Sequence, residues 1–266
     1  LLKENDIYLM DCIDGMKKLD AGCANLVISD PPYNVSGAKG IAGFKLKQYE
    51  RVEETWDTFD DDDFLAFNEK WLSEMDRVLH EKGLAFIFCS FHNIFILQKI
   101  LVNKMKYQLR NMIIWHKPNA FPSPYAWHGY FSFSNEYILF VAKPGCVKPH
   151  FNHSILKILN GGAFYRDCWI HNFVSGNKRE NHPTQKPLEI IKAMIAIASY
   201  ESDLIIDPFS GSGTVAVACA QYKRRFISFE LEEKYWKISR KRLAAEGVSL
   251  TSGNDYPLGP TQSQLF

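Results

Sequence analysis

The run Asp30-Pro31-Pro32-Tyr33-Asn34 follows directly on the apolar, β-branched segment ANLVIS at 24–29. Such a segment reads as a buried strand. The tetrad therefore falls at a strand's carboxyl end, where open parallel sheets bind ligands. Two consecutive prolines fix two φ angles and remove two backbone donors, which leaves the carbonyls between them as rigid, outward-facing acceptors. A carboxylate, fixed carbonyls and an aromatic ring together suit one task. They can accept both N–H bonds of a planar exocyclic amine while the ring stacks on the attached base. Accepting those protons moves electron density toward a nitrogen that conjugation makes a poor nucleophile. Taken alone, the tetrad also reads as a turn with a buried tyrosine.

A second constellation is DLIIDPFSGSGT at 203–214. Strand, acidic end, glycine-rich turn and helix follow in that order. Gly211 and Gly213 permit positive φ and close approach of a ligand to the backbone. The helix opening near Thr214 presents free N–H groups and a positive dipole end. The spacing is neither GxGxxG nor GxxxxGK[ST], so the dehydrogenase fingerprint and the P-loop both fail. Glu230 stands 23 residues beyond Asp207, at the end of the next apolar run. A carboxylate there can accept bonds from two ribose hydroxyls, and the pair fits a nucleoside-bearing ligand. A tight turn plus a surface acid is the plainer reading of the same residues.

The elements that must position these groups alternate between strand and helix. Strands are predicted over 24–30, 84–90, 109–117, 135–143, 203–209 and 224–230. Helices are predicted over 62–80, ended by Gly83, and over 91–104, 187–199, 214–222 and 232–246. That alternation implies an α/β fold, a mostly parallel central sheet with helices on both faces. Two segments break the pattern, 34–61 and 144–186, and long irregular segments in a compact domain are usually functional. The last stretch, 247–266, is rich in Gly, Pro, Ser and Gln and is expected to be disordered.

Lys and Arg number 31 against 30 Asp and Glu, so any nucleic-acid contact must rest on local charge. Six scattered cysteines form no CxxC pair, which excludes a familiar zinc spacing and fits a reducing cytosol. A cytoplasmic location is the expectation. No apolar run reaches membrane-helix length, and the amino-terminal residues lack a secretory apolar block. The chain begins Leu-Leu rather than Met, and a processed, trimmed or misassigned start is the expectation. His150, His153, His171 and His182 lack a Cys or acid cluster and read as polar loop residues, so no metal is expected.

Taken as a pair, tetrad and loop resemble the amino-methyltransferases that act on DNA. These combine a D/N/S-PP-Y/F/W tetrad with an FxGxG loop for S-adenosylmethionine. The tetrad precedes the loop here, with a short segment between, an order similar to the β class of DNA adenine-N6 methyltransferases. The resemblance covers roughly 5–245 and implies a Rossmann-like methyltransferase domain over 1–246. It implies catalytic roles for Asp30, Pro31, Pro32 and Tyr33, with Asp30 also beside the cofactor. Phe209, Ser210, Gly211, Ser212, Gly213 and Thr214 would form the cofactor loop, with Asp207 before it and Glu230 on the ribose. Asp11-Cys12 matches an element near the adenine end of the cofactor. HPTQKP at 182–187 matches an element near its methionine end, where Lys186 could pair with the carboxylate. The implied reaction flips adenine out of the stack and aligns N6 for direct in-line transfer.

The segment 143–181 has a local charge of +4 interleaved with aromatics, a mixture that suits phosphates and bases. The resembled class places its target-recognition region here, as an insertion over about 144–181, with Lys148, Lys157, Arg166, Lys178 and Arg179 as DNA contacts. Residues 34–58, with Lys39, Lys45, Lys47 and Arg51, would form a mobile loop closing over a flipped base. Phe131 and Phe133 are candidates to stack on the target, although core packing is the commoner fate of such residues. Arg240–Arg242 reads as a helix end meeting its dipole. The expected partners are DNA, a second copy of the chain, and functionally a restriction endonuclease, with an orphan enzyme encoded alone as the alternative. N4-cytosine methylation is the nearest rival, although Ser is more usual there than Asp30. RNA or protein-glutamine substrates follow it, and a non-catalytic DNA-binding module is the reading from a different class. C5-cytosine chemistry needs a Pro-Cys pair, which the chain lacks.

Overall fold

The computed structural model describes residues 2–34, 59–120, 131–159, 161, 166–176, 180, 182 and 184–250. Its elements run β1 Asp6–Leu9, α1 Cys12–Met16, β2 Ala24–Ser29, α2 Asp61–Val78, β3 Leu79–Cys89 and α3 Ile94–Gln98. They continue with β4 Gln108–His116, β5 Asn135–Ala142, α4 His153–Leu159 and β6 Cys168–Ile170. The last are α5 Leu188–Ala198, β7 Leu204–Asp207, α6 Thr214–Gln221, β8 Arg225–Glu230 and α7 Glu233–Ala245. The strands form one sheet in the order β1-β8-β7-β2-β3-β5-β4-β6.

Side-chain alternation explains the layers. Along β3, Ala85, Ile87 and Cys89 pack on one face with Trp71, Leu72 and Met75 of α2. Leu84, Phe86 and Phe88 pack on the other with Ile191, Met194 and Ile195 of α5. A strand buried on both faces reads as a continuous apolar run, as LAFIFC does. Helices thus cover both faces of an α/β sheet, and only β5 runs antiparallel to its neighbours.

Two features of topology place the site. The chain leaves β2 toward β3 on one side and β7 toward β8 on the other. The adjacent carboxyl ends of β2 and β7 therefore form the switch point where such sheets bind ligands. The reversal of β5 brings its amino end, Asn135 to Tyr137, beside the carboxyl ends of β3 and β4.

Several boundaries differ from the sequence reading. The strand after α2 starts at Leu79, not after Gly83. The Lys143 ammonium donates to the carbonyls of Asp76 and Leu79, so the last acceptors of α2 are satisfied without a further turn. The helix expected over 91–104 starts at Ile94 and ends as a π-helical stretch, Lys99–Lys104. The irregular segment 144–186 contains α4 and β6, the latter only three residues long. Arg240 and Arg242 do not idle at a helix end. Arg240 pairs with buried Asp6 at 2.5 Å, and Arg242 turns to the glycine loop. Among the described residues no helix is long and apolar enough to cross a membrane.

Trp71 links the core to the site. It is fully buried, donates from Nε1 to Asn68 at 2.9 Å and meets the Phe209 ring edge-on at 5.4 Å. Trp71→Ala is expected to cost about 3–5 kcal/mol, the range for a buried aromatic truncation. Urea unfolding measures this, and an unshifted midpoint would contradict the packing described.

Candidate active site

Asp30 follows directly on β2, and buried Pro31 and Pro32 carry the chain to Tyr33. Tyr33 donates its hydroxyl to Asp30 Oδ1 at 2.8 Å and also reaches Glu136 Oε2 at 3.2 Å. The second Asp30 oxygen lies 2.5 Å from Lys186 Nζ, which is 3.5 Å from Glu136. Lys117 holds the other Glu136 oxygen at 3.0 Å. The Lys186 ammonium also lies 5.4 Å from the Tyr33 ring centre and 5.2 Å from that of Phe88. Asn34 closes the tetrad's turn by accepting from the Phe59 N–H at 2.9 Å.

Burial dominates the electrostatics here. It pushes the Asp30 carboxyl up, with Lys186 opposing and Glu136 reinforcing the rise. For Glu136 burial also pushes upward, but Lys186 and Lys117 outweigh it and hold the group below its usual value. For Lys186 burial pushes downward, and Asp30 and Glu136 outweigh it, so the ammonium is retained.

The glycine loop lies across the same cleft. Gly211 and Gly213 have φ of 51° and 78°, values that glycine adopts without strain. A Cβ on Gly213 would lie 2.7 Å from Ser239 of α7, so only glycine lets loop and helix meet. Arg242 braces the loop from behind, donating to the Ser212 carbonyl at 2.5 Å and to Thr214 Oγ1 at 3.3 Å. Phe209 is half-buried against Trp71 and Phe67. Glu230, at the end of β8, accepts from the N–H of Gly211 at 2.7 Å and of Glu232 at 2.8 Å. Burial nevertheless raises its carboxyl to about 7. Asp207, at the end of β7, is buried and pushed well above the usual carboxylate range.

Asp11 caps α1, accepting from Ile13 at 2.8 Å and Asp14 at 3.2 Å. It is therefore a structural cap at the cleft and not a free turn acid. Asp11, Cys12, Asp30, Tyr33, Glu136, Lys186, Asp207, Phe209 and Glu230 all line one cleft with the loop. His182, read from sequence as a polar loop residue, is buried there with its ring 4.3 Å from Tyr235. Glu136 escaped the sequence reading. Its only signal was an acid opening an otherwise apolar strand.

The basic candidates separate. Lys157 and Arg166 are exposed, on α4 and just before β6. Lys148 is also exposed, but it lies with Asn25, Gly83 and Asp203 in a depression at the amino ends of the parallel strands. That edge is opposite the cleft, because β2 and β7 begin there. Lys39, Lys45, Lys47, Arg51, Lys178 and Arg179 lie outside the described residues. Phe131 and Phe133 are not core residues. The first is 94% exposed, and the second stacks on Phe91 at 5.0 Å.

Known proteins resemble this chain in sequence and fold. Residues 24–241 match the N6/N4 methyltransferase family model, described as DNA methylase. Type II methyltransferase M2.MboI of Moraxella bovis is 32% identical over 244 residues, which cover 90% of this chain and 88% of that protein. The crystal structure of an M1.HpyAVI–SAM complex superposes with a TM-score of 0.67 at 26% identity, over 90% of this chain and 98% of that one. PvuII DNA methyltransferase, titled cytosine-N4-specific, gives a TM-score of 0.71 at 17% identity, over 91% of this chain and 87% of its own. That last likeness is one of fold alone. The chain belongs to the N6/N4 family of DNA methylases.

The raised Glu230 carboxyl has a measurable consequence. The folded protein keeps a proton there that the unfolded chain gives up between pH 4.5 and about 7. Ionising this group therefore lowers stability as pH rises through that window. Relative to the parent, Glu230→Gln is expected to gain stability between pH 4.5 and about 7 and no more above it. Urea unfolding across that range tests this, and a pH-independent difference would contradict it.

Proposed function

We propose that this DNA methylase transfers a methyl group from S-adenosylmethionine to the N6 amino group of adenine at a specific DNA sequence. The observation that carries the reading is the convergence of Asp30 and Tyr33 with the glycine loop and Glu230 on one cleft. The cleft suits that cofactor on its own chemistry. Ser210 Oγ is buried there with no partner among the described residues, and Glu230 can accept from a ribose diol. When bound, S-adenosylmethionine supplies an electrophilic methyl group on a sulfonium.

The chain's own residues do the rest. Gly211 and Gly213 let the backbone approach the ligand, and Arg242 keeps the loop from moving. Glu230 and Asp11 orient the nucleoside portion. Asp30 and a carbonyl of the Pro31-Pro32 pair accept the two N–H bonds of the target amine, and Tyr33 stacks on the base. A base within a duplex cannot reach Asp30, so the adenine is extruded. The rate then comes from alignment and placed charge.

Residues 1–246 would form one methyltransferase domain, with a target-recognition insertion over about 144–181 that includes α4 and β6. Lys157 and Arg166 are its described basic residues. Lys148, at the opposite edge, is left out of this face. The type II designation of M2.MboI supports a role beside a restriction endonuclease. Adenine is preferred over cytosine because the tetrad begins with Asp.

Labelled methyl transfer to unmethylated genomic DNA, followed by nucleoside analysis, tests this reading. N6-methyldeoxyadenosine is the expected product, and N4-methyldeoxycytidine would reverse the choice of base. Asp30→Ala is expected to lower transfer at least about 10³-fold, on the scale of lost transition-state contacts, while binding of the uncharged-sulfur product S-adenosylhomocysteine persists. Retained turnover would remove Asp30 from catalysis.

A further inference from the structure

The tetrad's surroundings form a closed set of charges. Asp30 and Glu136 supply two carboxylates, and Lys186 and Lys117 supply two ammonium groups. Every member is within 3.5 Å of an oppositely charged one. Lys186 is only 7% exposed, and Lys117 and Glu136 are largely covered. Charges so placed are poorly screened and act over longer distances than at a surface. Neither the tetrad nor the glycine loop calls for Glu136. The reversed strand β5 nonetheless delivers it to the edge where Asp30 stands, 3.2 Å from the Tyr33 hydroxyl.

We propose that Glu136 is a positioning residue that balances the charge of the cleft, holding Lys186 and Lys117 so that two buried ammonium groups do not repel a cationic ligand. Without it, Asp30 alone would face both lysines and the set would carry a net positive charge. Lys186 would also be drawn wholly onto Asp30, the group that must accept from the target amine. With it, Lys186 has a second carboxylate to lean on when Asp30 turns to substrate.

The inference rests on the reading of this cleft as the S-adenosylmethionine site, and that cofactor provides the probe. S-adenosylmethionine carries a sulfonium, whereas S-adenosylhomocysteine carries a neutral thioether and is otherwise alike. The ratio of their dissociation constants reports local charge without any turnover or any knowledge of the DNA sequence. A packing role for Glu136 would weaken both ligands together and leave the ratio unmoved.

Calorimetric titration of both ligands is the experiment. Glu136→Gln is expected to raise the ratio of the S-adenosylmethionine to the S-adenosylhomocysteine constant by about tenfold, the scale of one poorly screened charge. Lys117→Gln should move the ratio the other way, and this variant carries the test if Glu136→Gln fails to fold. The double variant Glu136→Gln/Lys186→Gln restores neutrality and should return the ratio toward that of the parent. A ratio unmoved in these variants, or moved in one direction by Glu136→Gln and Lys117→Gln alike, overturns the proposal alone. A parent protein that binds neither ligand overturns the cofactor reading and this inference with it.

Discussion

The buried ammonium of Lys186 constrains this cleft more than any other group. A charge removed from water must be paired and hydrogen-bonded, or it costs several kcal/mol, on the order of 3–5 when one partner is lost. Here the partners come from separate parts of the chain. Asp30 follows β2, Glu136 lies near the start of β5, and Lys117 follows β4 and holds Glu136. Lys186 itself stands just before α5. The cluster therefore fixes where four segments meet, and with them the direction in which Asp30 and Tyr33 point. The prolines between those two residues add a stiff backbone to the same end.

Across the cleft, acids end the neighbouring strands. Asp207 ends β7 and Glu230 ends β8, both buried. Among the described residues no lysine pairs with them. Glu230 is held by backbone N–H groups, and its carboxyl still sits near 7. The two sides of the cleft thus solve burial differently, one by ion pairing and one by backbone donors and proton retention. The second arrangement leaves acceptors for a ligand that brings its own hydroxyl or amino donors, as a nucleoside does. The loop between β7 and α6 is kept close to α7 by Gly213 and braced by Arg242, so this wall is rigid.

Much of this was legible in the sequence because local signals carry it. The ANLVIS run, two prolines and Tyr33 define a strand end and its turn without any tertiary information. The same holds for LIID, the two glycines and α6. What stayed hidden depends on pairing between distant segments. Glu136 becomes a site residue only because β5 is antiparallel, and nothing within NEYILFVA states its direction. Arg242 reads as a helix end until α7 is laid against the loop. Lys148 looks like part of a basic recognition segment, yet the turn carrying it lies at the amino-terminal edge of the sheet. The short elements α4 and β6 have too few residues for periodicity to show. β6 is held by its ladder to β4, and Trp169 at its centre is buried.

Lys186 favours the ionised form of two buried carboxylates, Asp30 and Glu136. The stability of Lys186→Met measured by urea unfolding from pH 5 to pH 9 tests it most directly. Without the ammonium, Asp30 and Glu136 would have to ionise unpaired or take up protons. The expected result is a deficit of about 3–5 kcal/mol at the alkaline end, shrinking toward pH 5 as the carboxyls become neutral. A variant as stable as the parent at every pH, or a deficit that does not change with pH, would contradict it.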